Sequence, residues 1–481
     1  MMLVVLGFAM IAVFMYLVMA KKVTPIATLI LVPLIFGLFT GAGLGLGDMI
    51  IESTVKLAPT AALLFFAIIF FGTMIDVGLF DPLIRAILRF AGNDPMKLVV
   101  GTALLTTIVS LDGDGSTTFI IVTSAFLPLY LRLGMSPVVL TVVAALSNGV
   151  LNTVPWGGST ARAAAALNVS PIDIFVPMIP AITAGLVSVL VLAYFLGRSE
   201  RRRIGEIHLD DSRGVLGLRN REAVSVGTSS AGRSGTAGSS ASHAPGGADS
   251  GSSIVIANDF SASFTEDGQF IERPNARPKL IWINLALTVA VMTMLVMDLL
   301  PPAVIFMAAV GIALVINFPR VNEQSAQIKA HASSVISVVG MVFAASVLTG
   351  VMNGTGMVKA MAGWLVSILP DALGPFMAVI AGILSIPLTF IMTNDAFYFG
   401  VLPILSETAG HFGVEPVQMA RAALVGQSLH QSSPLVASFL LLIGLANVSL
   451  GDHFKKVIWR GAIVAAVMLA VGGLTLAYPL F

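Results

Sequence analysis

An all-α polytopic membrane fold made of two inverted repeats is what this chain predicts, and three observations carry the prediction. Apolar runs long enough to cross a bilayer recur through both halves. The halves match one another at a nearly constant shift. Each half is also interrupted twice, at corresponding places, by polar residues set in apolar surroundings. With 57% hydrophobic and 11% charged residues among 481, the composition excludes an ordinary soluble domain.

A bilayer core takes roughly 20 apolar residues of helix to span. Segments of about that length stand near 2–20, 23–45, 60–80, 136–168 and 172–197, then near 279–297, 302–318, 332–352, 416–447 and 457–480, which makes about ten crossings. The first run begins at Met1, with no basic region before it and no small-residue cleavage pattern after it, so it reads as a retained helix. The chain has no cysteine, which excludes disulfides and thiolate metal sites.

Net charge is only +1, and the placement of the cations is more informative. If the N-terminus is outside, Lys21, Lys22, Arg85, Arg89, Lys97, Arg132, Arg198 and Arg201 to Arg203 share one side with Arg320, Lys329, Lys455, Lys456 and Arg460. The opposite loops carry Asp48, Glu52, Asp298, Glu407 and Glu415, with Lys56 and Lys359 as exceptions. The positive-inside rule then puts both termini outside and the central loop in the cytoplasm. That loop, 200–277, is rich in Ser and Gly and too poor in apolar residues to fold, so it reads as a disordered linker between repeats at 1–199 and 278–481.

The repeat is read from "AALNVSPIDIF" (165–175) and "GLANVSLGDHF" (444–454). A shift of 279 pairs Asn168 with Asn447, Ser170 with Ser449, Asp173 with Asp452 and Phe175 with Phe454, and it also carries Gly134 onto Gly413, Pro137 onto Pro416 and Pro155 onto Pro434. Gly72 and Gly78 meet Gly350 and Gly356 at 278. Five crossings per half, an odd number, turn the second copy upside down, an arrangement used by secondary transporters with their sites where the copies meet.

The first interruption is "VSLDGDGSTT" (109–118). Its flanks, about 98–110 and 117–131, are each roughly 20 Å long at 1.5 Å per residue, short of the ~30 Å core, so they read as a re-entrant helical hairpin with "LDGDGST" at its tip. The counterpart "FIMTNDAFYFG" (390–400) places Thr393, Asn394 and Asp395 at a second tip. The other pair, "SNGVLNTVPWGGSTAR" (147–162) and "GQSLHQSSPLVAS" (426–438), puts a proline at matched points of two long apolar segments and predicts helices unwound in the middle. Non-helical backbone at that depth is tolerated only where protein or water satisfies it.

Helix ends facing a cavity have chemistry. N-terminal ends suit carboxylates, while freed carbonyls and aspartates suit cations. The candidate substrate contacts are Ser116, Thr117 and Thr118 at the first tip and Thr393 and Asn394 at the second. The first broken helix adds Asn148, Asn152, Thr153, Gly157, Gly158, Ser159, Thr160 and Arg162; the second adds Gln427, Ser428, His430, Gln431, Ser432 and Ser433. Arg162 and His430 are the cations aimed at a polyanion; Arg421 lies nearer the outer end of its helix. Asp112, Asp114 and Asp395 are the candidates for metal or proton coupling, since neighbouring carboxylates in a dry site favour holding a proton. Apart from the two cations, the polar side chains are carboxylates, amides and hydroxyls, all hard ligands, which favours magnesium, calcium, manganese or sodium.

These tips, with "LNTVPWGGSTARAAAAL" and "GQSLHQSSPL", resemble the CitMHS family of citrate and divalent-metal/proton symporters, within the ion transporter superfamily. The likeness covers both halves and not the linker. It implies uptake of citrate complexed with a divalent metal, Mg, Ca or similar, together with protons, by an elevator-type movement in a homodimer of the bacterial plasma membrane. It implies no enzyme activity, no prosthetic group and no nucleic-acid partner. In the related sodium-coupled dicarboxylate carriers both tips carry Ser-Asn-Thr; Asp-Gly-Asp-Gly-Ser-Thr and Thr-Asn-Asp stand here, a departure that favours a proton or metal role for the aspartates.

Plainer readings stand beside these. Asp112 and Asp114 also suit helix caps, His430 a core histidine, Arg162 a carbonyl partner, and Trp156, Phe397 and Tyr398 packing. Asp173 and Asp452 fit capping, and Asp48, Glu52, Glu407 and Glu415 solvated loops. "GLGD" at 45–48 fits the signature of intramembrane aspartyl proteases, but no Tyr-Asp accompanies it. A sodium-coupled organic-anion carrier is the main alternative.

Overall fold

In the computed structural model the described residues are 1–480 apart from Lys21, Asn93, Asp114, 205–274 and Asp298. Among them every regular element is helical, and six helices are long and apolar enough to cross a membrane. Five of these, Gly43–Asp76, Pro171–Ile204, Pro278–Leu295, Ala332–Gly354 and Leu450–Leu474, fall on expected crossings; the sixth, Ala372–Ile391, is the first arm of the second hairpin.

The elements run in the same order twice. In the first half these are α1 (Met2–Met19), α2 (Pro25–Leu38), α3 (Leu46–Asp76), α4 (Asp81–Ala91), hairpin α5 (Pro95–Val109) and α6 (Gly115–Arg132), broken helix α7 (Pro137–Leu151) and α8 (Gly158–Leu167), and α9 (Pro171–Ile204). In the second they are α10 (Ile281–Val296), α11 (Pro302–Asn317), α12 (Val321–Ala330) with α13 (Ala332–Gly354), α14 (Met357–Ile368), hairpin α15 (Met377–Ile391) and α16 (Leu402–Gly410), broken helix α17 (Pro416–Ala423), α18 (Gln427–His430) and α19 (Ala437–Leu445), and α20 (Leu450–Leu474). α1, α2, α10 and α11 have 14 to 18 residues, about 21–27 Å at 1.5 Å per residue.

The residues that match across the repeat do so for backbone reasons. Asn168 and Asn447 both take left-handed φ, 55° and 49°, where the chain leaves a helix, and Asn tolerates that region better than most side chains. Gly134 and Gly413 (66° and 83°), and Gly78 and Gly356 (82° and 76°), are matched pairs with positive φ in turns. Starts are set by local chemistry as well: Pro137 and Pro416 each occupy the first turn of a helix, and Glu415 with Gln418 forms a capping box. Asp173 and Asp452 stand in first turns, with Ser449 Oγ accepting from the Asp452 N–H at 3.1 Å, in keeping with capping.

Two of the expected boundaries differ. The apolar window at 60–80 understates α3, which begins at Leu46, so Asp48, Glu52 and Lys56 stand on helix and not in a loop. A hydropathy window detects the greasy stretch and misses polar turns that continue the same helix. Similarly, α9 continues to Ile204, five residues into the segment assigned to the linker; the rest of that segment, up to 274, lies outside the described residues.

α3 and α13 cross at the centre of one group of helices. Ser53 bonds Thr349 and Thr54 bonds Ser346, both at 2.8 Å, and Gly72 and Gly350 allow close approach, one against the His331 ring and the other against the backbone of Met49 and Ile50. α2 packs on α13 and α11 on α3. A second group gathers the hairpins, the broken helices, α9 and α20. The site lies within this second group, and its α8 touches both α3 and α13.

Candidate functional site at the meeting of the helix breaks

Each broken helix opens where its proline was expected. α7 ends at Leu151 and α8 begins at Gly158, leaving Pro155 in non-helical chain; α18 ends at His430 and α19 begins at Ala437, leaving Pro434 in the second gap. At the second tip, α15 stops before extended Met392, and the Thr393 hydroxyl accepts from the Ala396 N–H at 3.2 Å. The chain then makes a π-helical turn, Ala396–Val401, before α16. Such turns cluster at functional sites, and this one holds Tyr398 fully buried.

The tip and both breaks are joined by one network of neutral side chains. Gln427 Nε2 donates to Asn394 Oδ1 at 3.0 Å and to the Tyr398 hydroxyl at 2.9 Å. Its Oε1 accepts from Ser159 at 2.6 Å and from the Asn152 and Asn394 amides at 3.4 Å. The Ser159 hydroxyl also accepts from Asn152 at 2.8 Å and from Asn394 at 3.1 Å. These residues come from both repeats, and the network is where they meet.

Beside it Arg162 Nε lies 2.5 Å from Asp395 Oδ1, while its Nη1 donates to the Gly158 carbonyl at 2.8 Å. The side chains are 25% and 10% exposed. A charge at membrane depth is costly unless paired, and here Arg162 and Asp395, one from each half of the chain, neutralise one another.

The first tip sits against the other side of the same breaks. Asn148 Nδ2 donates to Ser110 Oγ at 2.9 Å, Trp156 Nε1 to the Leu111 carbonyl at 2.7 Å, and Gln431 Nε2 to Ser438 Oγ at 3.1 Å. A Cβ on Gly115 would meet the Gln431 amide at 2.8 Å and Ser438 Oγ at 2.9 Å. At the 279-residue shift, Gly115, Gln431 and Ser438 are the counterparts of Asn394, Asn152 and Ser159, so the two tips dock on corresponding surfaces. Ser116, Thr117 and Thr118 form the opening of α6. The Asp112 side chain and all of Asp114 lie outside the described residues.

Other candidates are engaged with backbone. His430 Nδ1 carries a proton toward the Thr389 carbonyl, 2.5 Å away, and Ser433 donates to the Phe390 carbonyl at 2.6 Å. Ser428 donates to the Gly461 carbonyl at 3.2 Å and Thr153 to that of Val150 at 2.6 Å. Ser432 bonds His453 Nε2 at 3.1 Å. Arg421 donates to the carbonyls of Asp173 and Ala477, so it ties helices together away from the network. Four buried hydroxyls have no partner among the described residues, and three of them, Thr118, Ser147 and Thr160, border the breaks of the first repeat.

Tyr398 packs against Phe397 at 5.2 Å between centroids while its hydroxyl joins the network, and Trp156 stacks on Phe71 at 4.2 Å. Ser110, Ser438 and His453 were not singled out. The repeat shift that pairs Ser159 with Ser438 is the signal that identifies the second of them.

The model of the citrate transporter family CitMHS matches residues 1–426. This chain belongs to that family. It is 45% identical over 473 residues to a Bacillus subtilis protein named citrate transporter, and 42% identical over 471 residues to a Bacillus subtilis protein named Mg(2+)/citrate complex secondary transporter. In each case the match spans 98% of both chains. Among solved structures, the Alcanivorax borkumensis YdaH transporter aligns over 88% of this chain and 86% of that one, at 14% identity and a TM-score of 0.49. The chain is thus a multi-pass membrane protein of a citrate transporter family and not an enzyme.

Proposed function

We propose that this protein imports citrate as a complex with a divalent metal ion, coupled to protons, by an elevator-type alternation of access. The observation that carries the reading is the network joining Asn152, Ser159, Asn394 and Gln427 beside the Arg162–Asp395 pair. Amides and hydroxyls that now satisfy one another are the donors and acceptors a polycarboxylate and its bound metal require. The name of the Mg(2+)/citrate relative supports this substrate.

The electrostatics favour the complex over the free ion. Citrate is trivalent near neutral pH, and chelating a divalent ion leaves a single negative charge, which reduces the cost of entering a dry site. A substrate carboxylate that takes Arg162 displaces Asp395, and the freed carboxylate then holds the coupling proton. Thr118, Ser147 and Thr160 add hydroxyls with unused hydrogen-bonding capacity. The tips and broken helices of both repeats move as one body against α2, α3, α11 and α13 in each subunit of a homodimer, with the second repeat inverted and the linker cytoplasmic.

Uptake of labelled citrate into proteoliposomes tests this reading, with magnesium, calcium and other divalent ions varied against a chelator under an imposed pH gradient without sodium. Uptake that needs both the metal and the gradient is expected. Uptake of free citrate or a dicarboxylate that appears only with sodium would replace this reading by a sodium-coupled carrier.

A further inference from the structure

Two lysines, Lys56 and Lys359, break the pattern that gathers this chain's cations on one side, and the structure places both in the lining of one cavity. The cavity measures about 420 Å³, within the range of small-molecule sites. Glu52 and Glu407 line it as well, together with Asn168 and Asn353. Lys56 pairs with Glu52 at 2.7 Å, whereas Lys359 and Glu407 make no ion pair among the described residues. Two ammonium and two carboxylate groups cancel in formal charge, so the cavity suits neither a plain anion nor a plain cation. It suits a ligand that presents both signs, as a metal chelate does with its carboxylate edge and its cation edge.

Its position relative to the network is equally specific. Asn168 ends α8, nine residues beyond Ser159, and Glu407 stands on α16, twelve residues beyond Asp395. At 1.5 Å per residue the first separation is about 13 Å along α8, and the second runs through the π-helical turn and most of α16. α8 and the second hairpin therefore hold the network at one end and line the cavity at the other, with α3 and α13 forming the opposite wall.

We propose that this cavity is the outer recruiting site of the transporter, where the metal–carboxylate chelate is held before it reaches the helix breaks. Lys56 and Lys359 take the carboxylate edge, and Glu52 and Glu407 face the metal. The proposal rests on the metal–citrate reading above.

The test compares the wild type with K56Q/K359Q and E52Q/E407Q in proteoliposomes of known orientation, using magnesium citrate supplied to one face at a time. For substrate at the outer face, each double variant is expected to raise KM about tenfold, as removal of focusing charges does, with the maximal rate retained. KM from the inner face stays unchanged, and K359R keeps the wild-type value. An unchanged outer KM in variants of a transport-competent protein overturns this proposal alone, as does an equal loss of maximal rate from both faces. A wild type that carries no magnesium citrate overturns both readings.

Discussion

Arg162 and Asp395 hold one another across the boundary between repeats, and the charge of each depends on the other for compensation. Removing either leaves the partner without its counter-charge, which costs more than removing both. R162Q and D395N are each expected to lower uptake at least tenfold, and the double variant to lose less than their product. A cycle measured as uptake rates should show a coupling of about 1–3 kcal/mol; additive losses would mean that the pair is incidental. Ser159→Ala removes one donor to Gln427 and is expected to raise KM about fivefold, the equivalent of about 1 kcal/mol, with expression unchanged as judged by size-exclusion profile. At this scale the sequence showed which residue types were present and hid their pairing. Arg162 and Asp395 are 233 residues apart, and nothing local marks them as partners. The Tyr398 hydroxyl bond to Gln427 was hidden in the same way, because an aromatic residue in an apolar run carries no sign that its hydroxyl meets an amide.

The elements that build the candidate site are helices that stop short. Both breaks and both tips were legible, because Pro, Gly and polar residues inside an apolar run violate the helix pattern and the repeat places each violation twice. Helix extents were less legible, as α3 shows, because hydropathy marks the greasy stretch only. The π-helical turn after the second tip has no signal in "DAFYFGV" that distinguishes it from α-helix. Where the broken helices cross, Gly149 lies against the backbone of Gln427 and Ser428; a Cβ there would meet the Gln427 carbonyl at 2.6 Å. Gly149→Ala must shift one break against the other, an overpacking cost of about 1–3 kcal/mol. It is expected to lower both the thermal midpoint of the purified protein and its uptake rate; wild-type values for both would show that the crossing yields freely.

Across the whole molecule, the two groups of helices have different characters. The crossing of α3 and α13 uses small residues and paired hydroxyls and brings no network side chain to the site. The hairpins, broken helices, α9 and α20 bring the polar groups together. Asn168 with Asn447 and Gly134 with Gly413, the pairs matched in sequence, sit where the backbone takes positive φ and favours those residue types. Which helices pack together was not legible, since apolar composition serves a lipid face and a protein interface equally well.

Citrate and its metal are expected to travel together through the site where the helix breaks meet. The most direct measurement follows labelled citrate and a labelled divalent ion into the same proteoliposomes under a pH gradient. One metal ion per citrate is expected, with both fluxes falling in parallel in the Asp395→Asn protein. Citrate that enters at an undiminished rate when a chelator has removed the metal would contradict it.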